Sequence, residues 1–343
     1  MDRRAIIVGA GIGGLAVGRA LHDDGWNVQI LERAAALPST GTALGVWPEA
    51  MAALDRLGVG DSVREQGMLQ QGATFLRPDG TAFGRIASGE PAYLIPRPVL
   101  HETLYEGALE GCVRWVSDVR AASALPEADL VIGADGINSR IRDAVTGRRL
   151  DPRPLGTVAF RGIVPGAADD VTETWGEGRL FGITPQDAQT INWFACVRND
   201  LLDEYSALGD LELLFELFGD WHRPVVDIVR KVSAAKIDRR ALYDSAPVST
   251  MVRGRTAIIG DAAHAMAPNA GRGACEALID AVQLADSLRS TVTLEDGLQA
   301  FDRVRRRRVQ RTVRLSRLLN RLSTARRFSG VRQRTMSALL CFA

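Results

Sequence analysis

What this chain of 343 residues lacks narrows its class first. It has no run of about 18 apolar residues, so no transmembrane helix is expected. It opens Met1-Asp2-Arg3-Arg4 and passes straight into an apolar stretch, with no small-residue cleavage site, which predicts no secretory leader. Its four cysteines, at 112, 196, 275 and 341, form no Cys-x-x-Cys pair. That spacing suggests neither a zinc site nor a disulfide framework, so no metal is expected and a reducing cytoplasm is the natural setting. Only two lysines, Lys231 and Lys236, stand beside 40 arginines, a bias we assign to a GC-rich genome rather than to function. The net charge of +1 favours no particular partner, and no nucleic-acid partner is expected. Internal repeats and low-complexity linkers are also absent, and the oligomeric state is left open.

What is present is a globular composition, 46% hydrophobic, long enough for two domains. Residues 5–8 form a short apolar run ending in glycine, as a buried parallel strand does. A helical stretch to about His22 and a strand from Val28 to Leu31 complete the opening of a βαβ unit. Residues 48–58 predict a helix, with Pro48 in its first turn and Gly58 past its end. Residues 72–95 and 156–198 carry short β-rich runs, at 73–77, 158–164, 179–183 and 190–197, which predict a second, mostly antiparallel sheet. Helix is expected over 211–232, buried strands over 129–132 and 256–259, and helix over 274–288. The arginine-rich tail from Leu298 to Phe328 is helical in pattern, with Val309, Val313, Leu318 and Leu322 assigned to one apolar face. It is taken as a packing helix with a solvated basic face rather than a membrane contact. The fold class is therefore α/β. A Rossmann-type parallel sheet (1–70, 97–155 and 245–297) carries an inserted, mostly antiparallel substrate sheet (71–96 and 156–244) and a C-terminal helical segment (298–343).

Gly9-Ala10-Gly11-Ile12-Gly13-Gly14 contains Gly-x-Gly-x-x-Gly between a strand and a helix, the context that gives the motif its meaning. The first glycine allows the turn, the second lets a pyrophosphate approach, and the third lets helix and strand pack closely. The helix N-terminus adds free N–H groups and a positive dipole. Glu32, 21 residues after Gly11, is placed to accept from ribose hydroxyls, or is a plain strand-end acid. This loop does not separate NAD from FAD.

Two later stretches bear on that choice. One runs Asp129-Leu130-Val131-Ile132-Gly133-Ala134-Asp135-Gly136-Ile137-Asn138-Ser139-Arg140, and the other Gly260-Asp261-Ala262-Ala263-His264 through Pro268-Asn269-Ala270-Gly271-Arg272-Gly273-Ala274-Cys275. With the glycine loop, they resemble in order and spacing the dinucleotide, "DG" and "GD" fingerprints of the group A FAD-dependent monooxygenases, the para-hydroxybenzoate hydroxylase-like family. The resemblance covers nearly the whole chain. It includes Ile95-Pro96-Arg97-Pro98, similar to a helix start carrying a flavin-contacting arginine, and a closing helix with Leu298, Phe301 and Arg305 to Arg308.

The resemblance implies FAD as cofactor, with NADPH or NADH as transient reductant and O2 as co-substrate. In such enzymes reduced flavin and O2 form a C4a-hydroperoxide that hydroxylates or epoxidises a small aromatic or apolar molecule, and natural-product tailoring is one such role. It implies cofactor contacts from Gly9, Gly11, Ile12, Gly13, Gly14, Glu32, Arg33, Arg97, Asp135, Arg140, Asp261, Pro268, Gly271, Gly273 and Ala274. Asp261 is also readable as a helix cap, and Arg140 as a surface ion-pair residue. His264 is taken as structural and Cys275 as a packed thiol. No catalytic side chain is assigned, because the flavin carries the chemistry. Pocket candidates are Pro268 near the flavin ring and Asn192, Trp193 and Phe194 on the sheet, where alternation lets only one of the two aromatics face inward. Arg161 is read as a strand-edge residue in preference to an anion contact.

The chain departs from the family twice. Leu104 and Asp135 lie only 31 residues apart, so a β-hairpin against the FAD domain looks trimmed. Arg272 stands where the family has glutamine, either adding positive charge near the flavin or pointing to solvent. Two other readings are kept: a related flavin-dependent reductase of isoprenoid double bonds, and a non-catalytic flavin-binding redox module. A halogenase is disfavoured by the absence of Trp-x-Trp-x-Ile-Pro.

Overall fold

The structure, a computed structural model, describes residues 3–39, 41–116 and 125–326. In chain order, β1 (Arg4–Val8), α1 (Ile12–Asp23) and β2 (Asn27–Glu32) form the opening unit. β3 (Ala43–Val46), α2 (Pro48–Arg56) and α3 (Gly60–Gln66) lead to the hairpin β4 (Met68–Leu76) and β5 (Ala82–Pro96). Then come α4 (Arg97–Tyr105), β6 (Val113–Trp115), β7 (Leu130–Gly133) and α5 (Arg140–Thr146). Four strands follow, β8 (Arg153–Pro165), β9 (Val171–Trp175), β10 (Arg179–Pro185) and β11 (Thr190–Arg198), and after them α6 (Asn199–Leu202), α7 (Asp210–Phe218) and α8 (Arg223–Val229). The chain returns through β12 (Asp238–Asp244), β13 (Val252–Arg253), β14 (Thr256–Ile258), α9 (Asp261–His264), α10 (Gly273–Arg289) and α11 (Leu294–Ser323).

Strands from distant parts of the chain share one six-stranded sheet in the order β13-β14-β7-β1-β2-β6. β1 pairs in parallel with both β2 and β7, placing Ala5 beside Val28 and Leu130. Ile7 packs beneath α1 on one face and Ile6 against Leu31, Ala128 and Leu125 on the other, so both are fully buried, which is why β1 is a continuous apolar run rather than an alternating one. The second sheet has eight strands, β12-β8-β11-β10-β9-β4-β5-β3, antiparallel throughout except where β4 meets β9. β3, from the N-terminal span, joins it by pairing with β5. The expected α/β architecture with a second, mostly antiparallel sheet is what the structure contains.

Two expectations need correction, and a third falls partly outside the described residues. The helix expected over 211–232 is two helices, because Gly219 closes α7 and Pro224 occupies the first turn of α8, where its missing N–H costs nothing. In the segment after Leu104, β6 adds a parallel strand beside β2, and the expected trimmed hairpin falls partly on residues 117–124, which lie outside the described residues. On α11, whose start is capped by Thr293 Oγ1 accepting from the Asp296 N–H at 3.1 Å, the buried face runs through Val309, Val313, Ser316 and Asn320. Leu318 lies on the other side, 51% exposed. A face set by contact with both sheets includes small polar residues that an apolar count passes over.

The two faces of the larger sheet differ. One is covered by α7 and α8, where Trp193 stacks on Phe181 with ring centroids 5.7 Å apart and Phe218 meets Phe181 edge-on at 5.2 Å. Truncating a ring this deeply buried typically costs about 3–5 kcal/mol. The other face carries Phe75, Trp175, Leu180 and Cys196, with Phe194 and Leu319 of α11 packed against them.

Candidate active site

The glycine loop is held by the chain on one side and open on the other. Gly9 has φ +105°, and a Cβ there would fall 2.4 Å from the Ala134 carbonyl oxygen. A Cβ on Gly14 would fall 1.9 Å from the Gly9 oxygen, so α1 presses directly on the loop. Gly11 is different. Its φ of −71° suits any residue, and a Cβ there would meet nothing within 4 Å. The chain gives no reason for that glycine; a ligand approaching the loop does. Ile12 and Gly13 open α1, whose N-cap, Gly11, supplies no side-chain acceptor, leaving the first-turn N–H groups for an anion.

Glu32 clamps this loop. Its Oε2 accepts from the Ala10 N–H at 2.7 Å and its Oε1 from the Ala34 N–H at 2.8 Å. Each oxygen keeps a second lone pair, so a ribose hydroxyl remains within its capacity. Arg33, next along, is exposed.

Asp135 follows β7 and caps α5, its Oδ2 accepting from the Arg140 N–H at 2.9 Å. Its Oδ1 is buried with no partner, an atom that a bound group with a donor would satisfy. The Arg140 side chain is exposed. The neighbouring Arg142, which sequence reasoning passed over, is 3% exposed and donates to the Ile137 and Leu150 carbonyls at 2.8 and 2.7 Å, fixing the loop's shape.

Arg97 begins α4. It is exposed at the surface yet partly desolvated by neighbouring protein. Burial holds its pKa below the ordinary guanidinium value although Asp261 opposes this; Arg161 and Arg240 add to the lowering. Arg97 is thus within electrostatic reach of Asp261, which follows the smaller sheet, and of Arg161 and Arg240 on the larger one. Arg161 is not at an edge, since β8 lies between β12 and β11; its Nε bonds Asp238 Oδ2 at 2.7 Å, and Arg240 Nε bonds Asp238 Oδ1 at 2.9 Å.

Asp261 is the exposed first residue of α9, after Gly260 at φ +56°. Beneath it lies a network that the sequence did not disclose. His264 is buried, with its Nε2 2.5 Å from Asp280 Oδ2, and Asp280 also accepts from the Gly260 N–H at 2.9 Å. Arg305 of α11 donates to Asp280 Oδ1 at 2.7 Å and to Glu276 Oε2 at 2.6 Å. Burial would lower the His264 pKa, but the Asp280 charge and hydrogen bond outweigh it and raise it. Burial would raise the pKa of Asp280, but His264 and Arg305 hold it low. The one available signal was two acids four residues apart on a helix otherwise rich in alanine and leucine. His264 is thus structural, as expected.

Pro268 is exposed, opening a short turn that ends at Gly271, φ +60°. Trp47 Nε1 donates to the Gly271 carbonyl at 3.2 Å, and Asn269 Oδ1 accepts from Asn320 at 3.0 Å, tying the turn to α2 and α11. Gly273 and Ala274 open α10; a Cβ on Gly273 would meet nothing within 4 Å, as at Gly11. Arg272 takes neither expected course: it pairs with Glu276 at 3.1 Å and Glu49 at 3.3 Å, so its charge is compensated. Cys275 is a packed thiol whose Sγ donates to the Gly45 carbonyl at 3.2 Å, and burial pushes its pKa up to about 11.

On the larger sheet, Phe194 and Asn192 take the face opposite α7 and α8, while Trp193 sits under those helices and is removed from the cleft wall. A cross-strand row runs Phe75–Glu173–Gly182–Phe194–Arg161. A Cβ on Gly182 would lie 2.0 Å from the Phe194 ring, so that ring lies across Gly182 toward Glu173. Glu173 went unnoticed in the sequence.

A pinned glycine loop with an open front, a helix-capping aspartate with a buried free oxygen beside it and the neighbouring helix α10 with an unobstructed N-terminus define a dinucleotide-binding oxidoreductase site. The chain belongs to the FAD binding domain family, whose pattern matches residues 2–124 and 117–316. It is 30% identical over 328 residues to aurachin C monooxygenase/isomerase of Stigmatella aurantiaca, covering 88% of this chain and 84% of that one. It is 32% identical over 316 residues to 3-amino-4-hydroxybenzoate 2-monooxygenase of Streptomyces cremeus, covering 84% and 79%. The fold superposes on Klebsiella pneumoniae HpxO complexed with FAD and uric acid with a TM-score of 0.85, at 24% identity, covering 99% and 93%. The protein is an FAD-dependent monooxygenase, an oxidoreductase. The residues present fit that cofactor: Gly11 and Gly273 leave room a Cβ would fill, and Asp135 Oδ1 lacks a donor.

Proposed function

We propose that this chain inserts one oxygen atom from O2 into a small aromatic molecule, using NADPH or NADH, in the cleft between its two sheets. The observation that carries the reading is the pairing of an open glycine cradle at Gly11 with the unpartnered Asp135 Oδ1 next to it, where Gly9 packs against Ala134 and Asp135. The division into an FAD part (1–70, 97–155, 245–297), a substrate part (71–96, 156–244) and a C-terminal segment belongs to the same proposal, as does a cytoplasmic setting. Among the described residues no helix is long and apolar enough to cross a membrane. The oxygenase names of the relatives do not favour the isoprenoid-reductase reading.

The α1 N-terminus with Gly9, Gly11, Ile12, Gly13 and Gly14 would hold the pyrophosphate, and Glu32 with Arg33 the adenosine ribose. Asp135, Arg140 and Asp261 would hold the central hydroxyls and phosphate, with Arg97 and the turn from Pro268 through Gly271, Gly273 and Ala274 beside the ring. The redox chemistry, hydride acceptance from the nicotinamide and activation of O2, is supplied by the bound flavin. The N–H groups at the start of α10 stabilise negative charge brought to that end of the cleft. Phe194 and Pro268 exclude water from the reacting face, and Asn192 orients the substrate. The test is purification with bound FAD, then NAD(P)H oxidation and O2 uptake stimulated by aromatic compounds, with a product heavier by one oxygen. A protein that neither retains nor binds FAD would refute the reading.

A further inference from the structure

The cleft wall supplied by the larger sheet carries hydrogen-bond acceptors without matching donors. Glu173 and Asn192 project to the face of Phe194 by strand alternation along β9 and β11, and Gln186 directly follows the end of β10. Asn192 is 4% exposed and its Oδ1 has no partner; Gln186 is 6% exposed and its Oε1 has none either. The Thr184 hydroxyl donates to the Asn192 carbonyl at 3.3 Å and accepts from Asn192 Nδ2 at 2.7 Å, an arrangement that leaves the amide oxygen without a donor. Glu173 accepts from Trp175 Nε1 at 2.9 Å through Oε2, and its other oxygen makes no hydrogen bond among the described residues. Glu173 is half-buried, one strand from the Phe194 ring that lies across Gly182. Burial raises its pKa above the ordinary carboxylate value, the Trp175 hydrogen bond opposing this without cancelling it.

Buried acceptors left unmatched are rare and costly unless a ligand supplies the donors. We propose that Glu173, Asn192 and Gln186 form the specificity wall of the substrate pocket and select ring systems that present N–H or O–H donors, such as lactam or hydroxylated N-heteroaromatics, over plain benzoates. The proposal rests on the oxygenase reading above for the statement that a small aromatic enters this cleft. Phe194, lying across Gly182, supplies the flat surface against which such a ring stacks, and Glu173 stands at its rim. A benzoate would bring its carboxylate against the acceptors.

The experiment is titration calorimetry of the FAD-loaded protein with matched probes: 2-pyridone and N-methyl-2-pyridone, 4-quinolone and N-methyl-4-quinolone, and benzoate. The N–H member of at least one pair should bind about ten-fold or more tightly than its N-methyl partner and than benzoate. Glu173→Gln and Asn192→Leu should each bring that ratio toward one, which a purely steric penalty of the methyl group would not do. Flavin absorbance checks that each variant folds, and either variant alone suffices. Wild-type protein that discriminates in no pair, whether by equal binding or by none, overturns the proposal, as does full discrimination retained in a folded variant. Binding is measured without turnover. Selective binding without NAD(P)H and O2 consumption would therefore sink the oxygenase reading alone, and an active oxygenase preferring benzoate or N-methyl rings would sink this one alone.

Discussion

Replacing Arg305 by methionine would keep most of the stem's volume and delete a buried charge. The Arg305 side chain is 1% exposed, and it bonds Asp280 at 2.7 Å and Glu276 at 2.6 Å, both side chains almost wholly buried. Removing one partner of a dry ion pair costs about 3–5 kcal/mol, because the charge left behind has lost both water and its counterion. Here the carboxylates are not abandoned altogether: Asp280 keeps His264 and the Gly260 N–H, and Glu276 keeps Arg272. The lower end, about 3 kcal/mol, is therefore expected. At about 2–4 °C per kcal/mol in chains approaching this size, the melting midpoint should fall by ~6–12 °C. The assay is thermal melting followed by circular dichroism, with excess FAD held constant because ligand binding itself shifts the midpoint. Arg149→Met is the control: its partner Asp151 is exposed, as Arg149 is, and no shift is expected. FAD affinity should fall as well, since Asp280 anchors the Gly260 amide directly under Asp261. An Arg305→Met midpoint within about 1 °C of the control would refute the reasoning, because the network would then be neither dry nor holding the α10–α11 contact.

Other outcomes follow from the same geometry. Gly14→Ala places a Cβ 1.9 Å from the Gly9 oxygen and should lower the melting midpoint even without flavin, whereas Gly11→Ala meets nothing within 4 Å and should melt like the wild type without flavin while binding FAD at least about ten-fold more weakly; equal FAD affinity in Gly11→Ala would speak against the cradle. Iodoacetamide labelling mapped by mass spectrometry should find Cys112 modified before Cys275 and Cys196, whose thiols burial pushes up to about 11 and about 12. His264 has a raised pKa in the folded state, so its stabilising protonation is fully present below the unfolded value of about 6.5 and is lost as pH rises through the higher folded value. Melting midpoints should therefore decline as pH rises above about 6.5 in the wild type, and His264→Gln should remove that part of the slope.

How much of this was legible depends on whether the determining contact is local. The β1–loop–α1 unit could be anticipated because its strand, glycine loop and helix follow one another within about 20 residues, with Gly14 pressing on Gly9 itself, and Asp135 because it belongs to a contiguous motif directly after β7. The choice between Trp193 and Phe194 could not. Alternation states that they face opposite ways, but which face is lined by the cleft depends on α7 and α8, formed by residues farther along the chain. Glu276 and Asp280, four apart on α10, have the spacing of a solvated acidic face. Only the packing of α11 turns them inward, and only that packing chooses Arg305 from four consecutive arginines, 29 residues after Glu276. Glu173 is the sharpest case. A carboxylate on a short strand is ordinarily a solvent-facing residue, and its surroundings come from β4, β10 and the Phe194 ring lying over Gly182. The cofactor contacts proposed here repeat local motifs, so they can be read from one stretch at a time. The proposed substrate contacts are assembled across strands, so they become visible only once the register is known. That asymmetry has a physical origin: one cofactor imposes one backbone geometry on the chain, while each substrate is met by whatever side chains a common sheet happens to bring to a single face.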